Sequence, residues 1–365
     1  MEVRIKRADF LAELMPMQGI VERRTTIPVL SHILLQANSD RLQLASTDLD
    51  VSLTSWCEAE VKGEGGIAVQ ARKFLEIIRS LVGDEVQLVL EDERRLSIVA
   101  GKSRFKINGL APEDFPTLPT VGEEEKVELP FTKLKKMIGK IIFAVSTEES
   151  RFQLNGALFK LKDGAVEIVA TDGHRLALVE NEIEGSRDND GVLVPRKALQ
   201  ELQRFEDEGN ITFCRGEHHL SFSLGKRELT CRMLEGTFPD YERVIAKDND
   251  KRARFVRKEL AEAIHRVSLL TGDRARAIKL RMSPNQLVVS AANPDLGEAV
   301  EELSSEYEGD EFHVGMNPDY LGHFLSALDT EKVELELKDE NTQCIGHPVE
   351  GQDRRYLCVI MPMRI

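Results

Sequence analysis

The sequence of 365 residues predicts an α+β fold in which one module is written three times. Three observations predict it. Amphipathic helical stretches recur at matching places, each is followed by segments with the alternation of half-buried strands, and a small turn recurs between them. Asp172 follows Asp48 by 124 residues and Asn293 follows Asp172 by 121. A repeat of this length cannot be a solenoid of short units; it describes tandem domains.

The first helix of each module places apolar residues three and four apart on one face, the helical signature. In ADFLAELMPMQGIV (8–21) these are Phe10, Leu14, Met17 and Val21. In PFTKLKKMIGKIIFAV (130–145) they are Leu134, Ile138, Ile141 and Val145, and in ELAEAIHRVSLL (259–270) Leu260, Ile264, Val267 and Leu270. Pro16 is expected to kink the first helix or limit its start. Two strand-like runs follow each helix, with the turns Ser46-Thr47-Asp48, Ala170-Thr171-Asp172 and Ala291-Ala292-Asn293. A second helix then appears in ARKFLEIIRSL (71–81), PRKALQELQRF (195–205) and NPDYLGHFLSAL (317–328). Alternating strands close each module. Polar, weakly patterned stretches at 120–127 and 246–253 read as linkers, giving modules 1–122, 127–247 and 252–365.

Composition narrows the function. Hydrophobic residues at 41% and charged residues at 31% describe an ordinary folded, soluble protein. The opening MEVRIKRADF has no apolar h-region, so no signal peptide is expected. No apolar run approaches the roughly 18 residues of a membrane span. The five cysteines form no C-x-x-C pair and read as reduced, buried thiols of a cytoplasmic protein. His218 and His219 lack a third ligand nearby, so a solvated hairpin is expected there and no metal or cofactor. Asp172 and His174 could be half of a catalytic triad. No G-x-S-x-G elbow, phosphate loop or paired-carboxylate motif accompanies them, so no enzyme is expected. Asp172 reads instead as the organiser of its turn. The net charge of −14 argues against a general electrostatic grip on nucleic acid.

Strand edges left open at the two ends of a three-module chain invite a second copy, head to tail, closing a two-fold ring. The candidate closing residues are Arg104, Phe105 and Ile107 in SRFKI (103–107), with Leu269, Leu270, Glu298, Glu301 and Glu302 in the third module. From pattern alone, Phe105 and Ile107 serve equally well as core. The tail IMPMRI (360–365) is apolar where termini are usually polar. It is either the last strand of a buried sheet or half of a binding groove.

TTIPVLSHILL, STDLDVSL, LNGALF, VATDGHRLAL, VPRKALQEL, GTFPDYERVI and the terminal MPMR, in this order and spacing, resemble the bacterial β sliding clamp family, the β subunit of DNA polymerase III. The resemblance covers the whole chain. It implies three clamp domains per chain, helices lining a central hole, antiparallel sheets outside and a ring closed by a homodimer. It implies a processivity factor that encircles duplex DNA, without catalysis, and tethers the polymerase III alpha subunit, the clamp loader and repair and translesion polymerases. A ring holds DNA by topology, which reconciles the acidic total with a DNA partner. The phosphate contacts implied are Arg24, Arg72, Lys73, Lys136, Arg196, Lys197 and Arg276, with Arg23, Lys133, Lys140, Arg204 and Arg274 facing the same hole. The family's peptide groove maps onto Leu154, Thr171, Gly173, His174, Arg175, Leu176, Pro239, Arg243 and Val244. Asn317, Tyr320, Val359, Met361, Pro362, Met363 and Arg364 complete it, with Arg175, Arg243 and Arg364 expected at the rim. Polarisable methionines suit a cleft that accepts several related peptides. The alternative is a peptide-binding scaffold of repeats that does not encircle DNA.

Overall fold

The structure is a computed structural model that describes residues 1–22, 26–122, 125–162, 164–183, 190–272 and 276–365. Among the described residues there are six α-helices: α1 (Arg7–Ile20), α2 (Ala71–Ser80), α3 (Phe131–Ile141), α4 (Arg196–Arg204), α5 (Arg257–Ser268) and α6 (Pro318–Ala327). One strand enters each helix and three leave it, so the same supersecondary unit occurs twice in every module; the first module adds one short extra strand, Glu60–Gly63, before α2. Two of the entering strands, Glu125–Pro130 and Lys251–Val256, were not legible in the sequence, because they overlap the stretches that read as linkers. Lys251–Val256 is an example: its arginines face out while Ala253 and Phe255 are buried.

The chain divides into two compact units, residues 1–134 with 197–233, and residues 135–196 with 234–365. In the first unit, a 13-stranded sheet runs without a break across the end of the first module. The joint is the antiparallel pairing of Val51–Glu58 with Arg227–Arg232, which sets Ser52 opposite Thr230 and Thr54 opposite Glu228. The helical layer against it is α1 packed on α2, with Phe10 and Phe74 edge to face at 5.8 Å. In the second unit, an eight-stranded sheet is joined in the same way. Arg175–Glu182 pairs with Arg355–Ile360, setting Leu176 opposite Val359 and Leu178 opposite Leu357. A four-stranded sheet completes this unit, with Gly297–Ser304 at one edge.

α1 runs through Pro16 rather than stopping at it. Proline has no N–H, so the carbonyl four residues back, that of Ala12, loses its helical partner. Arg227 Nη2 donates to that carbonyl at 3.1 Å. The same guanidinium pairs with buried Glu13 (Nε to Oε2, 2.8 Å) and with Asp207. One side chain from the central third of the sequence therefore completes the helix that opens the chain.

Lys140 also departs from expectation. It is not on an outward face of α3: it is 6% exposed, donates to Asp353 at 2.6 Å and Asp329 at 3.3 Å, and lies over the Tyr356 ring. A lysine this buried needs partners, and the two aspartates supply them.

The Arg227 cluster can be tested by chemical denaturation. Arg227→Ala strands the Glu13 carboxylate and the Ala12 carbonyl in the interior and is expected to cost about 3–5 kcal/mol. The double change Arg227→Met with Glu13→Met should recover most of that loss.

Candidate functional site

The chain's last strand and its tail meet the turn at Thr171–Arg175. Strand Arg355–Ile360 runs antiparallel to Arg175–Glu182, and beyond it the tail stays extended. Met361 N donates to the His174 carbonyl at 3.0 Å, and Met363 N donates to the Gly315 carbonyl at 2.7 Å. The tail is thus both things the sequence left open: the continuation of a buried strand and the wall of a cleft.

The turn is built by its own side chains. Asp172 Oδ1 accepts from the backbone N–H of His174 (2.9 Å) and Arg175 (3.0 Å). Thr171 Oγ1 donates to the Arg175 carbonyl and accepts from Gly173 N. Gly173 has φ +89°, a region that L-residues enter at a cost. The first module repeats the device: Asp48 Oδ1 accepts from Asp50 N and Val51 N, and Thr47 Oγ1 accepts from Leu49 N, with Leu49 at φ +83°. Between the first and second modules the repeat therefore reaches the level of single hydrogen bonds; in the third, Asn293 Oδ1 accepts from Asp295 N and no threonine takes part.

Arg175 is not a rim residue. Only 9% of it is exposed, and its donors are taken from within. Nε donates to Asp172 Oδ2 at 3.0 Å, Nη1 meets His323 Nδ1 at 2.8 Å, and Nη2 donates to the Phe143 carbonyl. The guanidinium also lies 4.5 Å from the Tyr320 ring centre. It binds the turn to α6 instead of reaching for a ligand.

The floor beside the tail is apolar. Leu176 and Val359 are buried in one cluster with Val169, Leu178, Ile345 and Leu357. Val244, Phe238 and Tyr241 cover it and remain half-buried. Tyr241 is fixed by its hydroxyl, which donates to buried Glu167 at 2.5 Å. Leu154 and Thr171 are also buried, while Gly173, His174, Pro239, Arg243, Met361 and Arg364 are exposed. Met363 and Pro362 are half-exposed, and Asn317 caps α6 by accepting from Asp319 N. His174 stacks on Tyr320 with ring centres 6.4 Å apart. Sequence reasoning missed Phe143, His323 and Gly315. Only His323 carried a signal, standing three residues after Tyr320 and so on the same helical face.

The predicted cationic residues divide by what holds them. Arg72 and Lys73 are exposed at the start of α2 and share Glu76 (3.2 and 2.6 Å). Lys136 is exposed on α3. Arg196 Nη1 donates to the Val145 carbonyl, and Lys197 holds Asp48 and the Ile20 carbonyl. Arg276 pairs with Asp319 at 2.8 Å. Arg23, Arg24 and Arg274 lie outside the described residues.

Among the described residues, the two strands that carry the predicted closing residues have open backbone on one side. Ser103–Leu110 pairs along its length with Arg95–Ala100, but on the other side only Gly109 and Leu110 are paired, with Gly65–Gln70. Phe105 and Arg104 are exposed there and Ile107 is half-buried. The other edge is Gly297–Ser304, where Glu298, Val300 and Glu302 are exposed and Glu301 holds Arg266. Leu269, at the end of α5, is 67% exposed, and Leu270 is half-buried.

Three family models match the chain in succession, the N-terminal, central and C-terminal domains of the DNA polymerase III beta subunit, at residues 1–119, 128–240 and 242–364. The beta sliding clamp of Pseudomonas aeruginosa is 37% identical over 100% of both chains. The crystal structure of the DNA polymerase III subunit beta from the same organism superposes with a TM-score of 0.95 at 36% identity, covering 100% of both chains. A Bartonella birtlesii sliding clamp bound to griselimycin gives a TM-score of 0.95 at 34% identity, again over 100% of both chains.

Gly173→Ala tests the turn. A Cβ there would sit 2.6 Å from Arg151 Nη1, on a backbone that disfavours it. The substitution should lower stability by about 1–2 kcal/mol in urea unfolding.

Proposed function

The chain belongs to the DNA polymerase III beta-subunit family, the beta sliding clamps, and we propose that two copies close head to tail into a ring around duplex DNA. The protein is a non-catalytic processivity factor of DNA replication. Its three modules, 1–122, 127–247 and 252–365, line the hole with helices and set their sheets outside. Ring closure pairs Ser103–Leu110 of one copy with Gly297–Ser304 of the other. Phe105 and Ile107 then cover Leu269 and Leu270, and Arg104 faces the Glu298–Glu302 carboxylates. Apolar contact flanked by opposite charge suits a permanent interface.

DNA is enclosed more than gripped. Arg72, Lys73 and Lys136 are the cations best placed to meet phosphate, since all three are exposed and the ion pairs of Arg72 and Lys73 with Glu76 are weak and easily exchanged. Arg24, Arg196, Lys197 and Arg276 complete the basic lining. Such contacts ignore base identity, as sliding requires.

The tail carries the tethering role. Four exposed or half-exposed residues, Met361 to Arg364, are pinned by backbone hydrogen bonds beside an apolar floor that Val244 and Tyr241 only partly cover. This cleft takes short peptides of the polymerase III alpha subunit, the clamp loader and repair and translesion polymerases. Pseudomonas aeruginosa and Bartonella birtlesii clamps have been solved bound to griselimycin, which is expected to compete for it. Work on chromosomal DNA places the ring in the cytoplasm.

Two variants separate the parts. Deleting residues 361–365 should weaken alpha-subunit binding at least about tenfold, or 1.4 kcal/mol, in a surface-binding assay, while light scattering still reports a dimer. Phe105→Asp should give monomers by light scattering and leave griselimycin binding unchanged. An unaltered alpha-subunit affinity after the deletion would count against the groove.

A further inference from the structure

We infer that His323 is a positioning residue of the peptide groove and that it makes partner binding weaken in mild acid. This rests on the reading of the tail cleft as that groove. His323 stands on α6 beyond Tyr320, and its ring stacks on Phe143 with centres 6.3 Å apart. Its Nδ1 lies 2.8 Å from Arg175 Nη1. A guanidinium has donors only, so Nδ1 is the acceptor and the imidazole is neutral, with its proton on Nε2.

From that hydrogen bond, links run to both walls of the groove. Arg175 Nε donates to Asp172, whose other oxygen shapes the turn. The turn presents the His174 carbonyl that accepts from Met361 N. The guanidinium also rests on Tyr320, which stacks on His174. Without its acceptor on α6, Arg175 loses one of its fixed ends. The turn, the tail and Tyr320 then lose their common brace.

Acid removes that acceptor. A second proton on His323 has to go to Nδ1, the atom facing the guanidinium. Burial first, and Arg175 second, hold its pKa below the ordinary 6.5; Asp319 pulls the other way. Asp319 is itself paired with Arg276. The remaining charged or titratable groups around this cleft are Glu148, Asp172, His174, Arg196 and Tyr320, whose hydroxyl burial keeps protonated. Glu148 is 3.6 Å from Arg151, and Asp172 is held by Arg175. The folded-state pKa is depressed, so the unfolded or loosened state binds more protons. The brace is therefore fully present above about 6.5 and is lost as pH falls through the lowered value.

The test is calorimetric titration of the full-length dimer with griselimycin at pH 7.5 and pH 5.5. Wild type should bind about threefold or more weakly at the lower pH. His323→Asn keeps an oxygen acceptor for Arg175 that cannot titrate. It should match wild type within about twofold at pH 7.5 and lose the pH dependence. His174→Asn, which removes the other groove histidine, should keep the wild-type slope. Equal wild-type affinity at both pH values overturns the inference, as does a slope that survives in His323→Asn. His323→Gln serves in its place if thermal melting shows the asparagine variant unfolded. No binding by folded wild type at pH 7.5 overturns the groove reading, and this inference with it.

Discussion

Backbone hydrogen bonding between strands of different modules is the constraint on which the rest depends. An open strand edge exposes a row of unpaired N–H and C=O groups that another chain can capture. This chain covers two such edges from within: Val51–Glu58 takes Arg227–Arg232, and Arg175–Glu182 takes Arg355–Ile360. Each partner comes from a later module, so each junction is a continuous sheet. Ser103–Leu110 of the first module and Gly297–Ser304 of the third keep backbone open on one side. A second copy is the natural partner for them, and the proposed ring follows from that shortage of partners.

The groove is a by-product of the same pairing. Because the last strand is paired to Arg175–Glu182, the residues after Ile360 are carried past the turn. One backbone bond to His174 and one to Gly315 then hold Met361 and Met363 over apolar ground. The corresponding joint in the first unit has a different character. There the facing pairs are Ser52 with Thr230 and Thr54 with Glu228, where the second unit has Leu176 with Val359 and Leu178 with Leu357. The same register thus gives a polar floor at one junction and an apolar floor at the other.

Much of this was legible in the residues. Helical spacing located all six helices, and the Asp48, Asp172 and Asn293 turns gave the period because each needs a side-chain acceptor at one position. The entering strand Lys251–Val256 was hidden, since only Ala253 and Phe255 are buried and three of the other four residues are charged. Lys140 read as a surface cation because its partners, Asp329 and Asp353, are about 200 residues away in sequence. Arg175 read as a ligand contact for the same reason: nothing local shows that Phe143 and His323 occupy its donors. Pro16 read as a kink or a limit on where the helix starts, and only the fold brings Arg227 to the carbonyl it frees. For Lys140, Arg175 and Pro16 the miss is a long-range polar partner, which periodicity does not encode.

DNA is retained by enclosure, since a chain of net charge −14 has little charge to grip it with. The direct measurement is retention on nicked circular DNA, loaded by a clamp loader, before and after the circle is cut once with a restriction enzyme. Protein that stays on the circle in high salt and leaves the linear product within minutes is the predicted result. Equal retention on both forms, lost in parallel as salt rises, would mean that the chain binds DNA by charge and would contradict the account.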